Sequence, residues 1–172
     1  MDAISTIKDI DIFESISIEP KFYKVRPTVK AIVFDDEGNI ALLSARGHGL
    51  FPGGGVKKRE TLEEALTREC QEEIGCKVMV VTYLGQFDQH RAKTAKKYEI
   101  HFFVACILGG KGVPTTQSKG EQECILAWET KETIENMLEG QLENIPEKEY
   151  AAQFNCRTHL AAFQKFLQME AK

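Results

Sequence analysis

The sequence predicts a single α/β domain, and three observations lead to that class. Runs rich in β-branched and aromatic residues alternate with segments of helical periodicity. The chain has 172 residues, of which 42% are hydrophobic, enough for one substantial core without disulfides or a structural metal. No repeat, low-complexity tract or Ser/Pro-rich linker marks a second domain. We expect one domain over residues 25–172, preceded by an N-terminal arm or edge strand over residues 1–24.

The first half of the chain predicts a β-hairpin, a glycine-rich loop and a helix. Two β-rich runs flank residues 35–39, whose Asp-Asp-Glu-Gly-Asn composition is typical of a turn. After the glycine-rich connector, residues 62–74 contain strong helix formers. Thr61 is suited to the N-cap of this helix and Gly75 to its C′ position, so both ends of the helix are predicted.

The second half predicts three strands and then two helices. We expect strands over residues 77–87, 96–108 and 123–129, with residues 88–95 as a connector. Helices are expected over residues 131–138 and 148–170. The second of these has apolar residues at three- and four-residue spacing, which favours core packing over contact with a cofactor. These residues include Phe154, Leu160, Phe163, Phe166 and Leu167.

Composition and charge exclude several classes of protein. The chain has 22 Lys+Arg and 26 Asp+Glu, a formal charge of −4, and no basic stripe that would favour polymeric nucleic acid. Because no long apolar run and no signal-peptide pattern are present, we expect neither a membrane span nor secretion. The five cysteines are odd in number, scattered and without a CxxC pair, which indicates reduced thiols in a cytoplasmic protein and no zinc site.

Carboxylates lie on the apolar face of the first helix. Glu69 and Glu73 are one turn apart on that face, and Glu72 borders it. Carboxylates held close together near a core repel one another and lose hydration unless a cation lies among them. Mg²⁺ and Mn²⁺ accept such hard oxygen donors. The alternative is a solvated acidic face that forms surface ion pairs with Arg68.

The glycine-rich loop and this helix together form a spaced motif. Residues 53–55 are three successive glycines, which allow the backbone to approach a ligand closely. The positions in the motif are Gly54, Glu60, Arg68, Glu69, Glu72, Glu73 and Gly75. With these intervals the segment from Gly54 to Cys76 resembles the box of the Nudix hydrolases, the MutT-like family. Cys70 and Cys76 replace bulky aliphatic residues of that pattern; we interpret them as small buried side chains, with a redox role as the alternative.

The resemblance implies a fold, a cofactor and a set of ligands. The implied fold is a mixed β-sheet sandwiched between α-helices, here with an additional C-terminal helix. The implied cofactor is Mg²⁺ or Mn²⁺, and Arg68 and Glu60 would support its site. The implied metal ligands are the Gly54 carbonyl, Glu69, Glu72 and Glu73.

The resemblance also implies hydrolysis of a pyrophosphate linkage in a small nucleotide. The general base of this family is not at a uniform position, and Glu72, Glu121 and Glu123 are the candidates here. Arg46 and Lys57, with Arg68, are candidates for phosphate contact. The basic connector that contains Arg91 is another, although a charged hairpin tip is its ordinary interpretation. Phe51 and Tyr83 are candidates for stacking on a base, with core packing as the alternative.

The resemblance is compatible with several substrates and does not decide the oligomeric state. A nucleoside triphosphate is the simplest substrate, and dinucleoside polyphosphates, ADP-ribose, nucleotide sugars and coenzyme A are alternatives. A non-catalytic Nudix-fold nucleotide sensor is a further alternative, although the intact glutamates argue against it. A homodimer is compatible with the resemblance.

Overall fold

A mixed sheet forms the centre of the structure, a computed structural model that describes residues 3–14, 18–45, 47–115 and 124–171. Within these ranges the sheet has seven strands, in the order β1-β5-β6-β2-β3-β4, with β7 paired to β3. The strands are β1 Ser5–Lys8, β2 Lys24–Phe34, β3 Ile40–Ala45, β4 His48–Leu50, β5 Lys77–Arg91, β6 Lys96–Leu108 and β7 Ile125–Glu129.

The sheet is mixed because two of its strand pairs are parallel. β2 pairs in parallel with β6, placing Val29 opposite His101, and β1 pairs in parallel with β5 at the edge of the sheet. The other pairs are antiparallel. In the predicted hairpin between β2 and β3, Asp35 Oδ1 accepts hydrogen bonds from Glu37 N and Asn39 N, and Gly38 has a φ of 83°.

Three α-helices in the described ranges cover the two faces of the sheet: α1 Leu62–Glu73, α2 Lys131–Asn144 and α3 Tyr150–Glu170. Alternate residues of β2 point to opposite faces. Val29, Ala31 and Val33 belong to the core beneath α1, whereas Ile32 belongs to the core beneath α2 and α3. The predicted α/β class, with a mixed sheet between helices and a further C-terminal helix, is confirmed.

Some predicted boundaries were wrong. β5 continues through Arg91, although residues 88–91 were assigned to a connector. Their polar side chains conceal a strand whose residues Gln89 and Arg91 are buried; Gln89 Nε2 is satisfied by a 2.7 Å hydrogen bond to Thr158 Oγ1. The three-residue strand β4 was not predicted, and α2 extends to Asn144 rather than to residue 138.

The N-terminal residues are attached to the sheet and to α3. Beyond β1, the buried carboxylate of Asp9 accepts a 2.8 Å hydrogen bond from Ala92 N. It also accepts hydrogen bonds from the hydroxyl of Tyr150 on α3, at 2.8 and 2.9 Å. These contacts hold the N-terminal residues against α3. No helix among the described residues has the length and apolar character needed to cross a membrane.

Candidate active site

Helix α1 is fixed at both ends by its own sequence. At the N-terminus, Thr61 Oγ1 accepts a 3.2 Å hydrogen bond from Glu64 N, and Glu64 Oε2 accepts a 2.8 Å hydrogen bond from Thr61 N. This capping box satisfies backbone donors that the first turn leaves unpaired. At the C-terminus, Gly75 has a φ of 70°, and a Cβ there would lie 2.5 Å from the backbone of Val113. The predicted cap and stop of this helix are confirmed.

The glycine loop is attached to β2 and to α1. Gly54 O accepts a 2.9 Å hydrogen bond from Val29 N, and Gly53 N donates a 2.7 Å hydrogen bond to Glu73 Oε2. Gly53 has a φ of 130°, and a Cβ there would lie 2.2 Å from Val29 O, so only glycine fits. The loop therefore determines the position of the Glu73 carboxylate.

Gly54 leaves room for the carboxylate of Glu69. A Cβ on Gly54 would lie 2.6 Å from both oxygens of Glu69. Glu69 is 8% exposed, so its charge lies where the backbone of the loop approaches α1. The absent side chain at position 54 is what allows this close approach.

Arg68 connects the helix to the segment that precedes it. Its Nε donates to Glu60 Oε1 at 2.6 Å and its Nη2 donates to Glu60 Oε2 at 3.0 Å. The Nη2 group also donates to Gly55 O at 3.1 Å. This paired hydrogen bonding lowers the pKa of Glu60 to about 2. Arg68 therefore holds the loop against α1.

The remaining donor of Arg68 lies among the other carboxylates. Nη1 donates to Glu69 Oε1 at 2.6 Å and lies 3.4 Å from Glu72 Oε2. Lys57 Nζ lies 3.9 Å from the second oxygen of Glu72. One guanidinium thus offsets the repulsion within a cluster of acids that an ordinary amphipathic helix would not have. Its hydrogen bonds to Glu60 and Glu69 raise the pKa of Arg68.

The donor set fits a hard divalent cation. The carboxylates of Glu69, Glu72 and Glu73, together with the Gly54 carbonyl, offer only oxygen ligands, which Mg²⁺ and Mn²⁺ prefer. In the described ranges, no three His, Cys, Asp or Glu side chains are arranged as a metal-binding group. Arg68 engages Glu69 and Glu72, and the Gly53 N–H engages Glu73. The chemistry of the ligands fits, and protein donors hold these oxygens.

Three predicted residues lie outside the described residues: Arg46, Glu121 and Glu123. Thr115, the last described residue before Glu121 and Glu123, donates a 2.9 Å hydrogen bond from its backbone N to Glu72 O. Lys57 is exposed and lies beside Glu72. The structure thus places Glu69, Glu72 and Glu73 of α1 beside Arg68, Lys57 and the glycine loop.

Two aromatic residues considered for base stacking have other neighbours. Phe51 is fully buried and stacks on His159, with ring centroids 5.5 Å apart. The Tyr83 hydroxyl is 2.9 Å from His101 Nδ1. For Phe51 the core interpretation is correct.

Burial raises the pKa of the Cys70 thiol to about 12, so this thiol is a packed, unreactive side chain at neutral pH.

The sequence did not reveal a second polar region beside the glycine loop. Here a pocket of about 230 Å³ is bounded by residues 53–55 on one side. The side chains that line it include Arg26, Thr28, Lys30, Arg91, Tyr98, Asn155 and His159. The alternation of Arg26, Thr28 and Lys30 along β2 was the available signal, since residues two apart share a face of a strand. The interpretation of Arg91 as part of a charged hairpin tip is wrong, because Arg91 is 7% exposed and ends β5.

His159 is held neutral in the wall of this pocket. Its Nδ1 accepts a 3.0 Å hydrogen bond from Phe51 N. Burial lowers the pKa of His159 well below its usual value of 6.5. The imidazole therefore serves as an acceptor for the backbone that leads into the glycine loop.

A glycine loop followed by a helix with clustered carboxylates, set on a mixed sheet between helices, defines a Nudix-type site. The family model described as the NUDIX domain matches residues 24–151. The chain belongs to the Nudix family, and the resemblance found in the sequence is confirmed.

Relatives of known name match the chain in part. An RNA pyrophosphohydrolase of Teredinibacter turnerae is 44% identical over 65 residues, covering 35% of this chain and 37% of that protein. The nucleoside triphosphatase NudI of Klebsiella pneumoniae is 28% identical over 124 residues, covering 63% of this chain and 85% of that protein. The chain therefore spans well under half of the first relative and most of the second.

Solved structures share the fold at low sequence identity. A MutT protein from Methanosarcina mazei Go1 has a TM-score of 0.61 and 20% identity, covering 87% of this chain and 98% of that one. The E. coli ORF135 protein has a TM-score of 0.59 and 22% identity, covering 87% and 93% of the two chains. These similarities establish the Nudix fold.

Proposed function

We propose that the chain is a Nudix pyrophosphohydrolase that uses Mg²⁺ or Mn²⁺ to cleave the pyrophosphate linkage of a nucleoside triphosphate or another nucleoside diphosphate derivative. The observation that carries the proposal is the position of Glu69 and Glu73 against the glycine loop, with Glu72 beside Arg68. The names of the partial relatives, an RNA pyrophosphohydrolase and a nucleoside triphosphatase, support the same chemistry.

Divalent cations are general among Nudix enzymes, and the oxygen donors of this site suit them. Glu69, Glu72, Glu73 and the Gly54 carbonyl would hold the ion. When bound, it would neutralise phosphate oxygens and lower the pKa of the attacking water. Without a cation, Arg68 provides the positive charge among these acids. Arg68 therefore offsets the repulsion between Glu69 and Glu72 before substrate arrives.

The proton acceptor is proposed among three glutamates. Glu72 has a side chain 39% exposed, which leaves it accessible to the attacking water. Glu121 and Glu123 are the other candidates, since the general base of this family can also come from a later loop. Gln substitutions made separately at these three positions identify the base. The substitution that removes the base should abolish the limb of the pH–rate profile that arises from its ionisation.

Positively charged side chains beside the cluster are proposed to orient the phosphates. Lys57 is exposed and next to Glu72, and Arg46 precedes the glycine loop in sequence. Arg68 is already held by Glu60 and Gly55 O. Its contribution to phosphate binding would therefore be limited to the edge of its guanidinium group that carries Nη1.

The proposal is tested by a product assay. Purified protein is incubated with a panel of nucleotides and conjugates, with Mg²⁺ and with Mn²⁺, and products are identified by mass spectrometry. Glu69→Gln and Glu73→Gln remove one ligand charge each, and we expect each to lower kcat by about 100-fold or more, the usual scale for loss of transition-state electrostatic stabilisation. Glu63→Gln, on the exposed side of the same helix, is the matched control and should retain activity.

The outcomes separate the candidate functions. A preferred substrate that the Glu73→Gln variant no longer cleaves supports the hydrolase, and its products show which phosphorus is attacked. If only dinucleoside polyphosphates, ADP-ribose or nucleotide sugars are cleaved, the substrate is one of these compounds and not the triphosphate. No turnover of any compound, with equal nucleotide binding by wild type and Glu73→Gln, would overturn the enzyme in favour of a nucleotide sensor.

Other aspects of the proposal concern partners and location. We propose a small nucleotide as the only substrate class and no polymeric nucleic acid, because the formal charge is −4. A homodimer remains a proposal that sedimentation would test. A cytoplasmic location is proposed from the number and spacing of the five cysteines.

A further inference from the structure

We propose that the pocket beside the glycine loop binds a phosphate group additional to the two of the scissile linkage, and that Arg91 and Arg26 select substrates carrying it. This inference rests on the proposed function and narrows its substrate class. The pocket has a volume of about 230 Å³ and is lined by Gly53, Gly54 and Gly55 on the side of the loop. Such a space is smaller than the usual pocket for a whole ligand and accommodates only a part of a nucleotide.

Arg91 is a buried cation without a carboxylate contact. It is 7% exposed, and its guanidinium donates to Asn155 Oδ1 at 2.6 Å and to Gln89 Oε1 at 3.0 Å. None of the ion pairs in the described part of the chain includes it. The nearby carboxylate of Asp9 accepts from Ala92 N and the Tyr150 hydroxyl instead.

A buried guanidinium is costly unless an anion compensates its charge. Arginine stays protonated in proteins, so this charge cannot be removed by losing a proton. The amide oxygens of Gln89 and Asn155 supply dipoles but no negative charge. The guanidinium also lies over the ring of Tyr98, with Cζ 4.3 Å from the centroid, and this contact fixes its plane. Arg91 is thus oriented and available to an anionic ligand.

Two more cations line the same pocket. Arg26 is exposed, with Cζ 5.9 Å from the Tyr98 centroid, and it takes part in none of the described ion pairs. Lys30 Nζ donates to Gly53 O. No Asp or Glu is among the described residues that line the pocket. Its charge is therefore wholly positive, and its complement is an anion of high charge density.

The glycine loop connects this pocket with the carboxylate cluster. A Cβ on Gly54 would meet Glu69 at 2.6 Å, and a Cβ on the next residue, Gly55, would meet Arg26 Nη2 at 3.3 Å. Glu69 thus lies against Gly54, and Arg26 lies against Gly55. A chain of three phosphates that crosses the loop reaches both, whereas a chain of two at the acids leaves Arg91 without a partner. This difference favours triphosphates over diphosphate conjugates.

The test compares substrates that differ by one phosphate. kcat/KM is measured for a nucleoside triphosphate, the diphosphate of the same nucleoside and its diphosphate-linked sugar, in wild type, Arg26→Gln, Arg91→Gln and Arg91→Lys. We expect the Gln variants to lower kcat/KM for the triphosphate by about 10- to 100-fold, the effect of losing one charge-assisted hydrogen bond. The two-phosphate substrates should change by less than about threefold. Lys77→Gln, an exposed cation at the start of β5, is the control.

A second measurement needs no turnover. Calorimetric binding of inorganic tripolyphosphate and of pyrophosphate is compared in the same variants, and we expect the Gln variants to weaken tripolyphosphate binding selectively. Arg91→Gln changes a buried residue and could therefore impair folding. Thermal unfolding of each variant shows whether it is folded. Arg26→Gln and the conservative Arg91→Lys provide the same comparison with less disturbance of the core. Equal losses for all substrates, or unchanged tripolyphosphate binding, overturn the proposal. Absence of any hydrolysis by wild type would overturn the proposed function, while the binding measurement still decides the role of the pocket.

Discussion

Arg68 and Glu60 form a two-point contact, Nε to Oε1 at 2.6 Å and Nη2 to Oε2 at 3.0 Å, that joins helix α1 to the segment after the glycine loop. Both side chains are at least four-fifths buried. The same guanidinium lies against Glu69 and Glu72. A contact that fixes the loop therefore also controls the electrostatics of the proposed metal ligands.

Substitution of Glu60 by Gln should weaken folding in a pH-dependent way. The pKa of Glu60 is lowered to about 2 in the folded chain, against a usual 4.5. Its contribution is therefore fully present above about pH 5 and is lost as the pH falls through 4.5 towards 2. At pH 7 we expect Glu60→Gln to reduce the free energy of unfolding by about 1–3 kcal/mol, as for hydrogen bonds to charged groups.

Urea unfolding of both proteins at a series of pH values between 3 and 7 measures this effect. The difference in unfolding free energy should shrink towards acid pH. A difference that is constant over the range would show that the stabilisation does not depend on the ionised Glu60.

Divalent cations should stabilise the folded chain through the three glutamates. A ligand that binds only the native state raises stability, by about 2.7 kcal/mol at a concentration 100 times the dissociation constant. Thermal unfolding with increasing Mg²⁺ or Mn²⁺ should show a rising Tm in wild type and in Glu63→Gln. A strongly reduced response is expected in Glu69→Gln and Glu73→Gln. An equal rise in all four proteins would locate cation binding elsewhere.

Substitution of Gly54 by Ala should affect cation binding more than folding. The added Cβ would lie 2.6 Å from the Glu69 carboxylate, the mobile end of a side chain, which has to move away. We expect a loss in cation affinity of about tenfold or more, since a displaced ligand weakens a metal site. Calorimetric titration with Mn²⁺ measures the affinity, and retained affinity would exclude a role for the close contact.

Gly140→Ala is the matched glycine control for that experiment. A Cβ at this position in α2 meets no atom within 4 Å, and alanine is favoured over glycine inside a helix by about 0.5–1 kcal/mol. This variant should therefore unfold at a higher temperature than wild type with unchanged cation affinity. A lower Tm would contradict the described environment of residue 140.

His159 should make stability depend on pH in mildly acid solution. Its pKa is lowered well below 6.5 by burial, so the unfolded chain takes up a proton that the folded chain does not. Stability should be constant above about pH 7 and should fall as the pH drops below 6.5, at up to about 1.4 kcal/mol per pH unit. His159→Gln keeps a hydrogen-bond acceptor for Phe51 N but removes the group that takes up a proton on unfolding. The difference in unfolding free energy between the two proteins, measured from pH 8 to 5, should follow that curve.

The α1 region could be predicted closely because its signals are local. Thr61 and Gly75 mark the ends of the helix by capping and by positive φ, which act over a few residues. The periodicity of Glu69 and Glu73 on the apolar face predicts which carboxylates come together. The identity of the family followed from the same stretch of sequence.

The cation pocket could not be predicted because its members come together only through tertiary structure. Arg26 on β2, Arg91 at the end of β5 and Asn155 on α3 are far apart in sequence. The polar composition of residues 88–91 concealed a strand, because their burial is stabilised by partners on α3 such as Thr158. The strand β4 has only three residues, too few for a periodic pattern.

The parallel pairing of β2 with β6 determines when this chain can fold during its synthesis. Val29 finds its partner His101 only after the glycine loop, α1 and β5 have all left the ribosome. Until then β2 presents an unpaired edge, the kind of surface that recruits strands of other chains. Pairing of such distant segments also makes folding slow compared with helical proteins of equal stability. We therefore expect chains truncated before β6 to aggregate.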